Sequence, residues 1–135
     1  MTLYRASITA AVIFGSLAIA VSSATAQKRY DPGASDTEIK IGNTMPYSGP
    51  VSNVGTIGRA EAAYFQMRNE QGGVNGRKLT FISLDDGYNP AKIFEQVRKL
   101  VEQEHVLAIF GIIGTPTAAP VQRYLNNNQI PQLRT

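Results

Sequence analysis

Two kinds of segment follow one another along residues 38–135. One is a short run that is apolar throughout or at every second position, and the other is a longer segment in which apolar residues recur every three or four positions. Runs of the first kind fit strands, and segments of the second kind fit helices that bury one face. Regular alternation of the two predicts a parallel sheet with right-handed crossovers. The predicted fold class is therefore α/β, a parallel doubly wound sheet in the order β-α-β-α-β-α-β. The expected strands are 38–44, 77–84, 107–111 and 130–133.

Local signals place the three helices between these strands. Asn89 before Pro90 can cap free N–H groups, and proline fits the first helical turn because its missing N–H costs nothing there. Thr115-Pro116 repeats this pattern and opens the third helix. The first helix, over 55–71, has one apolar face at steps of three and four. The residues on that face are Ile57, Ala60, Tyr64 and Met67.

Residues 1–26 have the pattern of an export signal. Arg5 precedes an apolar run that is shorter than the ~20 residues of a membrane span. Ala24-Thr25-Ala26 then fits the site that signal peptidase cuts, so we expect a cleaved, periplasmic chain. Residues 27–37 carry Pro, Gly, Ser and charges without periodicity and are predicted to form a flexible leader. The chain contains no cysteine, which excludes a lipid anchor on cysteine.

The residue inventory argues against several classes of function. The net charge of +3 is spread along the chain, which does not favour nucleic-acid binding. With one histidine, His105, and no cysteine, no nucleophile-base pair can be assembled, so we expect neither catalysis nor a cofactor. Asp85-Asp86 at a strand end leaves a magnesium site open as an alternative. The other interpretation is that these carboxylates accept loop N–H groups, and no metal site is expected.

The topology of the predicted sheet indicates where a ligand would bind, without reference to any family. In doubly wound sheets, ligands bind beyond the carboxyl ends of the strands. At that edge Gly114 permits close backbone approach, and Thr115 offers a hydroxyl at a helix start that suits an anion. Thr115 as an ordinary structural cap is an equal alternative, and Tyr88 either stacks over a ligand or shields the sheet. The three segments at this edge are 45–54, 85–89 and 111–117.

Four segments together resemble the branched-chain amino-acid (Leu/Ile/Val) binding proteins of ABC uptake systems, which are type I periplasmic binding proteins. They are IKIGNTMPYSGPVSNVG, NEQGGVNGRKL, LDDGYNP and FGIIGTPTA, in matching order and spacing. The resemblance covers 38–135 and implies a partial N-terminal ligand-binding lobe, so we expect a truncated chain. It also implies a small-molecule ligand, an inner-membrane ABC permease as partner and a monomer when full length.

The resemblance also implies roles for individual residues. Thr115 would hold the carboxylate of the ligand, with Thr117 as a second contact. Val54 stands where the leucine-binding members of the family have an aromatic residue. The candidate ligands are therefore branched-chain amino acids, related small carboxylates, aromatic acids and amides. Alternatives of other classes are the sensor domain of a receptor and a cytoplasmic flavodoxin-like enzyme or receiver. The predicted ligand-binding residues are Ser48, Val54, Tyr88, Gly114, Thr115 and Thr117.

Overall fold

The computed structural model describes residues 28–133, and the predicted signal peptide at 1–26 lies outside these residues. Four parallel strands form one sheet in the order β2-β1-β3-β4, with helices on both faces, which confirms the predicted α/β class. The elements are β1 (Glu38–Met45), a 3-10 helix (Ser52–Gly55), α1 (Thr56–Glu70), β2 (Lys78–Asp85), α2 (Pro90–Glu102), β3 (Ala108–Phe110), α3 (Thr115–Asn127) and β4 (Gln132–Leu133).

The longest pairing in the sheet is between β1 and β2, which stay in parallel register over their full lengths. The chain moves from β1 to β2 in one direction and from β2 past β1 to β3 in the other. Because crossovers are right-handed, this reversal places α1 on one face of the sheet and α2 and α3 on the other. The sheet is therefore doubly wound around β1.

The main hydrophobic core lies between the sheet and the pair of helices α2 and α3. Ile109 of β3 is fully buried there. The apolar residues of α2 face this core together, because they recur at the helical period. The fully buried helical residues in this cluster are Ile93, Val97, Leu100, Val121 and Leu125.

Helix α1 packs on the other face through a different side from the apolar face that the sequence suggested. Phe65 points to the sheet, with its ring centroid 4.9 Å from that of Phe81 and 5.9 Å from that of Phe110. Gly58 is the buried residue of this helix. The four predicted residues keep their common face, but it points away from β1 and β2, and Tyr64 is 56% exposed. Helical period alone does not tell which of two apolar faces meets the sheet.

The two predicted helix starts have different outcomes. Asn89 caps α2 as predicted, since its side chain accepts hydrogen bonds from Ala91 N at 2.9 Å and Lys92 N at 3.2 Å. The prediction that Thr115 caps α3 is wrong. Gly114 occupies the capping position with φ of 88°, a left-handed value that glycine adopts without strain, and Thr115 is the first helical residue.

Part of the predicted leader contacts the sheet. The carbonyl of Gly33 accepts a hydrogen bond from Lys40 N at 2.7 Å, and Ala34 forms an antiparallel bridge with Ile39. These contacts connect residues 33 and 34 to the start of β1. Among residues 28–133, no helix has both the length and the apolar character needed to cross a membrane.

We expect Leu100→Ala to lower the free energy of unfolding by about 2–5 kcal/mol, because it leaves a cavity in the core. Leu100 is fully buried, whereas Leu133 is 51% exposed and serves as a matched leucine control. Leu133→Ala should change the same quantity by less than about 0.5 kcal/mol. Urea denaturation followed by circular dichroism measures both, and equal effects of the two substitutions would contradict the described core.

Candidate functional site

Strand register brings the three predicted segments to one edge of the sheet. Met45 ends β1 directly opposite Asp85, which ends β2. The next amide, Asp86 N, donates to the carbonyl of Met45 at 3.1 Å and continues this pairing into the loops. The loops then touch, since a Cβ built on Gly49 would lie 3.1 Å from the carbonyl oxygen of Gly87. The segments after β1 and β2 therefore form one continuous surface.

The carboxylate of Asp85 holds this surface together. Its Oδ1 accepts hydrogen bonds from the backbone N–H groups of Tyr47 at 2.9 Å, Ser48 at 3.0 Å and Gly87 at 3.1 Å. Its Oδ2 accepts from Ser48 Oγ at 2.6 Å and from Lys92 Nζ at 2.9 Å. One side chain thus fixes both loops and the first turn of α2. This confirms the sequence interpretation that a carboxylate here accepts loop N–H groups.

These contacts also set the charge of Asp85. The hydroxyl of Ser48 and the ammonium group of Lys92 hold the pKa of this carboxyl well below its usual range. The side chain is one-third exposed, so water screens part of the attraction to Lys92. Asp85 is consequently an ionised, fully engaged carboxylate at neutral pH, and it has no lone pair directed at a ligand in this arrangement.

Asp86 has a different environment from its neighbour. It is 2% exposed, and burial raises the pKa of its carboxyl. Its Oδ1 accepts a hydrogen bond from Tyr88 N at 2.8 Å. The two carboxylates therefore serve different partners. Within residues 28–133, no group of three or more acidic, histidine or cysteine side chains is placed to hold a metal ion.

Tyr88 is held in a tight turn that directs its ring to the third segment. Asn89 N donates to the carbonyl of Asp86 at 3.0 Å and closes the turn around Gly87 and Tyr88. Tyr88 has φ of 59°, a left-handed value that is uncommon for a non-glycine residue and often found at functional sites. A Cβ on Gly114 would lie 2.6 Å from Tyr88 Oη. Glycine at 114 therefore makes the space that Tyr88 occupies.

The two threonines of the third segment are placed differently. Thr115 is exposed, and among residues 28–133 its hydroxyl has no hydrogen-bond partner. Thr117 is fully buried, and its hydroxyl bonds to the carbonyl of Gly114 at 2.7 Å and to that of Ile113. A ligand contact by Thr117 stays a prediction, and it would require these hydrogen bonds to be exchanged.

The structure brings most, but not all, of the predicted residues into direct relation. Ser48 joins the Asp85 cluster, and Tyr88 contacts Gly114, whose neighbour is Thr115. Val54 lies half-buried in the 3-10 helix, which follows the first loop. Thr115 opens onto a groove of about 570 Å³ between α3 and β4. Residues 28–133 therefore provide one wall of a site, and not an enclosed pocket.

Sequence reasoning missed a polar network behind this wall. Asn43 donates from Nδ2 to the carbonyl of Phe110 at 2.7 Å and accepts from Ser83 Oγ at 2.5 Å. The hydroxyl of Tyr47 bonds to Ser83 Oγ at 2.6 Å. The network links the ends of three strands to the first loop. Its signal in the sequence is a polar residue, Asn43 or Ser83, at a strand position where alternation predicts an apolar one.

The family and relatives of this chain agree with the fold. A family model described as "Periplasmic binding protein" matches residues 38–135. The chain is 35% identical, over 101 residues, to Leu/Ile/Val-binding protein homolog 7 from Brucella abortus. That match covers 74% of this chain and 25% of the relative. The chain thus spans about a quarter of the length of the curated relatives it matches.

Two solved structures show the same arrangement of strands and helices. A possible leucine/isoleucine/valine-binding protein from Rhodopirellula baltica superposes with a TM-score of 0.66 at 30% identity. The match covers 71% of this chain and 26% of that structure. A fatty acid ABC transporter substrate-binding protein from Thermomonospora curvata gives a TM-score of 0.65 at 28% identity, with coverage of 76% and 26%.

We expect Asp85→Ala to lower the free energy of unfolding at pH 7 by roughly 1.5–3 kcal/mol, because bonds to a charged acceptor are lost. The pKa of Asp85 is lowered in the folded state, so its contribution is complete above the unfolded value, about 3.9. It is lost as the pH falls through the folded value. The difference between wild type and variant should therefore shrink below about pH 4.

Asp86→Asn is the comparison variant, because the charge of Asp86 should affect the free energy of unfolding with the opposite sign. The pKa of Asp86 is raised, so its ionised form disfavours folding at neutral pH and this penalty disappears in acid. Urea titrations between pH 3 and 7 measure both variants. If the difference in free energy of unfolding between wild type and Asp85→Ala stayed constant over this range, the proposed role of the Asp85 charge would be contradicted.

Proposed function

The chain belongs to the periplasmic binding protein family, and we propose that it forms the anion-holding wall of a substrate-binding component of an ABC uptake system. The ligands proposed are branched-chain amino acids or related small carboxylates. One observation carries the proposal: the exposed Thr115 hydroxyl stands at the start of α3, beside two loops that Asp85 fixes. We also propose a permease partner, a periplasmic location and a monomeric state, all of which rest on the resemblance to this family.

The start of α3 suits a carboxylate for a physical reason. A helix N-terminus carries partial positive charge. At α3 the available donors are the N–H and the hydroxyl of Thr115, because Pro116 has no N–H and Thr117 N already donates to the carbonyl of Gly114 at 3.2 Å. Side-chain capping is missing at α3, since Gly114 has no side chain and Thr115 is already helical. A ligand carboxylate can take the place of a cap, with the Thr115 hydroxyl donating to it. The alternative that Thr115 serves as the structural cap is excluded by its position.

Tyr88 borders the proposed site with its ring and its hydroxyl. Its ring lies against Gly114, so one side of the carboxylate position is bordered by an aromatic surface. The strained turn holds this ring in place before a ligand arrives, which reduces the entropy lost on binding. Ser48 is held at the same edge by Asp85, and we propose that it and Val54 border the ligand on the side of the first loop.

A carboxylate without an ammonium group is the second candidate ligand. Asp85 is engaged by five donors and Asp86 is buried, so the loops after β1 and β2 offer no free acid to an ammonium group. The relative from Thermomonospora curvata is described as a fatty acid binder. Fatty and aromatic acids therefore belong in the ligand screen, as do amides. A receptor sensor domain would use the same wall, and loss of uptake in a permease deletion distinguishes transport from sensing.

Thr115→Val should weaken ligand binding roughly 10- to 100-fold, because a hydrogen bond to a charged group contributes about 1.5–3 kcal/mol. The measurement is isothermal calorimetry on protein purified from the native host, with leucine, isoleucine, valine, benzoate and octanoate. Thr115→Ser keeps the hydroxyl and should retain most of the affinity. If Thr115→Val binds the best ligand as tightly as wild type, the proposed carboxylate position is wrong.

Export is tested separately by N-terminal sequencing of the periplasmic fraction. We expect the mature chain to begin at Gln27, since Ala24-Thr25-Ala26 fits the peptidase site. A protein that starts at Met1 and remains in the cytosol would contradict the proposed location and would favour the flavodoxin-like alternative.

A further inference from the structure

Strand β2 lies at one edge of the sheet, and within residues 28–133 only β1 pairs with it. Lys78 N donates to the carbonyl of Thr37, directly before β1, at 2.8 Å. At the other end, Asp86 N donates to the carbonyl of Met45 at 3.1 Å. The even-numbered residues therefore direct their peptide groups to β1, and the residues between them direct theirs away from the sheet. These outward-directed residues form the outer edge of β2 and are Leu79, Phe81, Ser83 and Asp85.

The outer edge of β2 has the properties of a surface to which another strand can be added. Outward-directed N–H and C=O groups on an edge strand are a template for pairing with a second chain. Phe81 and Ile82 at the centre of β2 are of types that favour strands. A groove of about 710 Å³ runs between α1 and β2, so there is also space along this part of the strand.

Asn69, near the end of α1, occupies the first position of this edge. Its Nδ2 donates to the carbonyl of Leu79 at 2.8 Å, and its Oδ1 accepts from Leu79 N at 2.7 Å. Two residues that face each other in an antiparallel ladder exchange the same pair of bonds. The carboxamide of Asn69 therefore takes the place that one residue of an added strand would take opposite Leu79.

We propose that Asn69 closes the outer edge of β2 against pairing with β2 of a second copy of this chain. A second copy fits this edge because an antiparallel pair of β2 strands is self-complementary, with outward-directed residues opposite one another across a two-fold axis. Such a pair also brings Lys78 of one copy towards the end of the strand that carries Asp85 in the other, and opposite charges across a strand pair are favourable. The proposal does not depend on the ligand.

The two bonds of Asn69 also attach the last turn of α1 to β2, so the test separates this attachment from closure of the edge. Asn69→Leu and Asn69→Asp both weaken the attachment, since neither side chain can donate to the carbonyl of Leu79. They differ at the edge itself. Leucine leaves the edge uncharged and open, whereas the charge of aspartate disfavours the addition of a strand.

Self-association is measured by sedimentation velocity over a concentration series, on protein of natural length from the native host. We expect Asn69→Leu to self-associate roughly tenfold more tightly than wild type, since about two backbone hydrogen bonds to Leu79 become available in each copy. Asn128→Leu is the matched control, because Asn128 is exposed and its Nδ2 donates to the carbonyl of Tyr124 at 2.8 Å, away from β2. This control and Asn69→Asp should associate no more tightly than wild type.

Hydrogen exchange at single-residue resolution locates the contact. In the described part of the chain, the N–H groups of Phe81 and Ser83 have no hydrogen-bond partner, whereas that of Leu79 bonds to Asn69. In wild type, we expect the Leu79 amide to exchange roughly tenfold more slowly than the other two. In Asn69→Leu, the amides of Phe81 and Ser83 should become protected as the concentration rises. The wild-type comparison needs no variant and applies even if Asn69→Leu does not fold.

Three results would overturn the proposal. Protection of Phe81 and Ser83 in the wild-type monomer would mean that another segment covers the edge. Association of Asn69→Leu without protection of these two amides would mean that the copies meet through a different surface. If Asn69→Leu associates no more tightly than wild type, or Asn69→Asp associates as tightly as Asn69→Leu, then Asn69 only attaches α1 to the sheet.

Discussion

The parallel pairing of β1 with β2 is the constraint on which the rest of the structure depends. Eight residues pair in register from Glu38 opposite Lys78 to Met45 opposite Asp85. Both strands therefore end at the same level, and the loops that follow them meet. The Asp85 carboxylate then converts this proximity into fixed geometry, because its five hydrogen bonds come from both loops and from α2.

The two faces of the sheet use different chemistry. Between β3 and helices α2 and α3, fully buried aliphatic side chains such as Ile109 and Leu100 form the core. Under α1, aromatic rings around Phe65 pack beside a polar network centred on Asn43 and Ser83. The polar network links strand ends to the loops of the proposed site, while most of the fully buried apolar residues lie in the aliphatic core. Stability and site geometry are therefore supported from opposite sides of the sheet.

The proposed site combines a rigid wall with an unsatisfied helix start. Tyr88 is fixed by its turn, and Gly114 accommodates the ring because it has no Cβ. Among the described residues the hydroxyl of Thr115 keeps no partner at the first position of α3, whereas Thr117 N donates to the carbonyl of Gly114. A wall whose loops are fixed before a ligand arrives would reduce the conformational entropy that binding costs.

The sequence by itself determined the element order, the α/β class and the edge of the sheet where the three loops meet. These follow from local periodicity and from the handedness of crossovers, which need no knowledge of contacts. It also located the Asn89 cap, because a cap bonds to its own helix. Only the tertiary structure decided which face of α1 meets the sheet, that Gly114 and not Thr115 caps α3, and that Asp85 binds across 37 residues to Ser48. Each of these depends either on groups that are distant in the chain or on a backbone angle set by packing. Neither kind of cause produces a pattern in a short stretch of sequence.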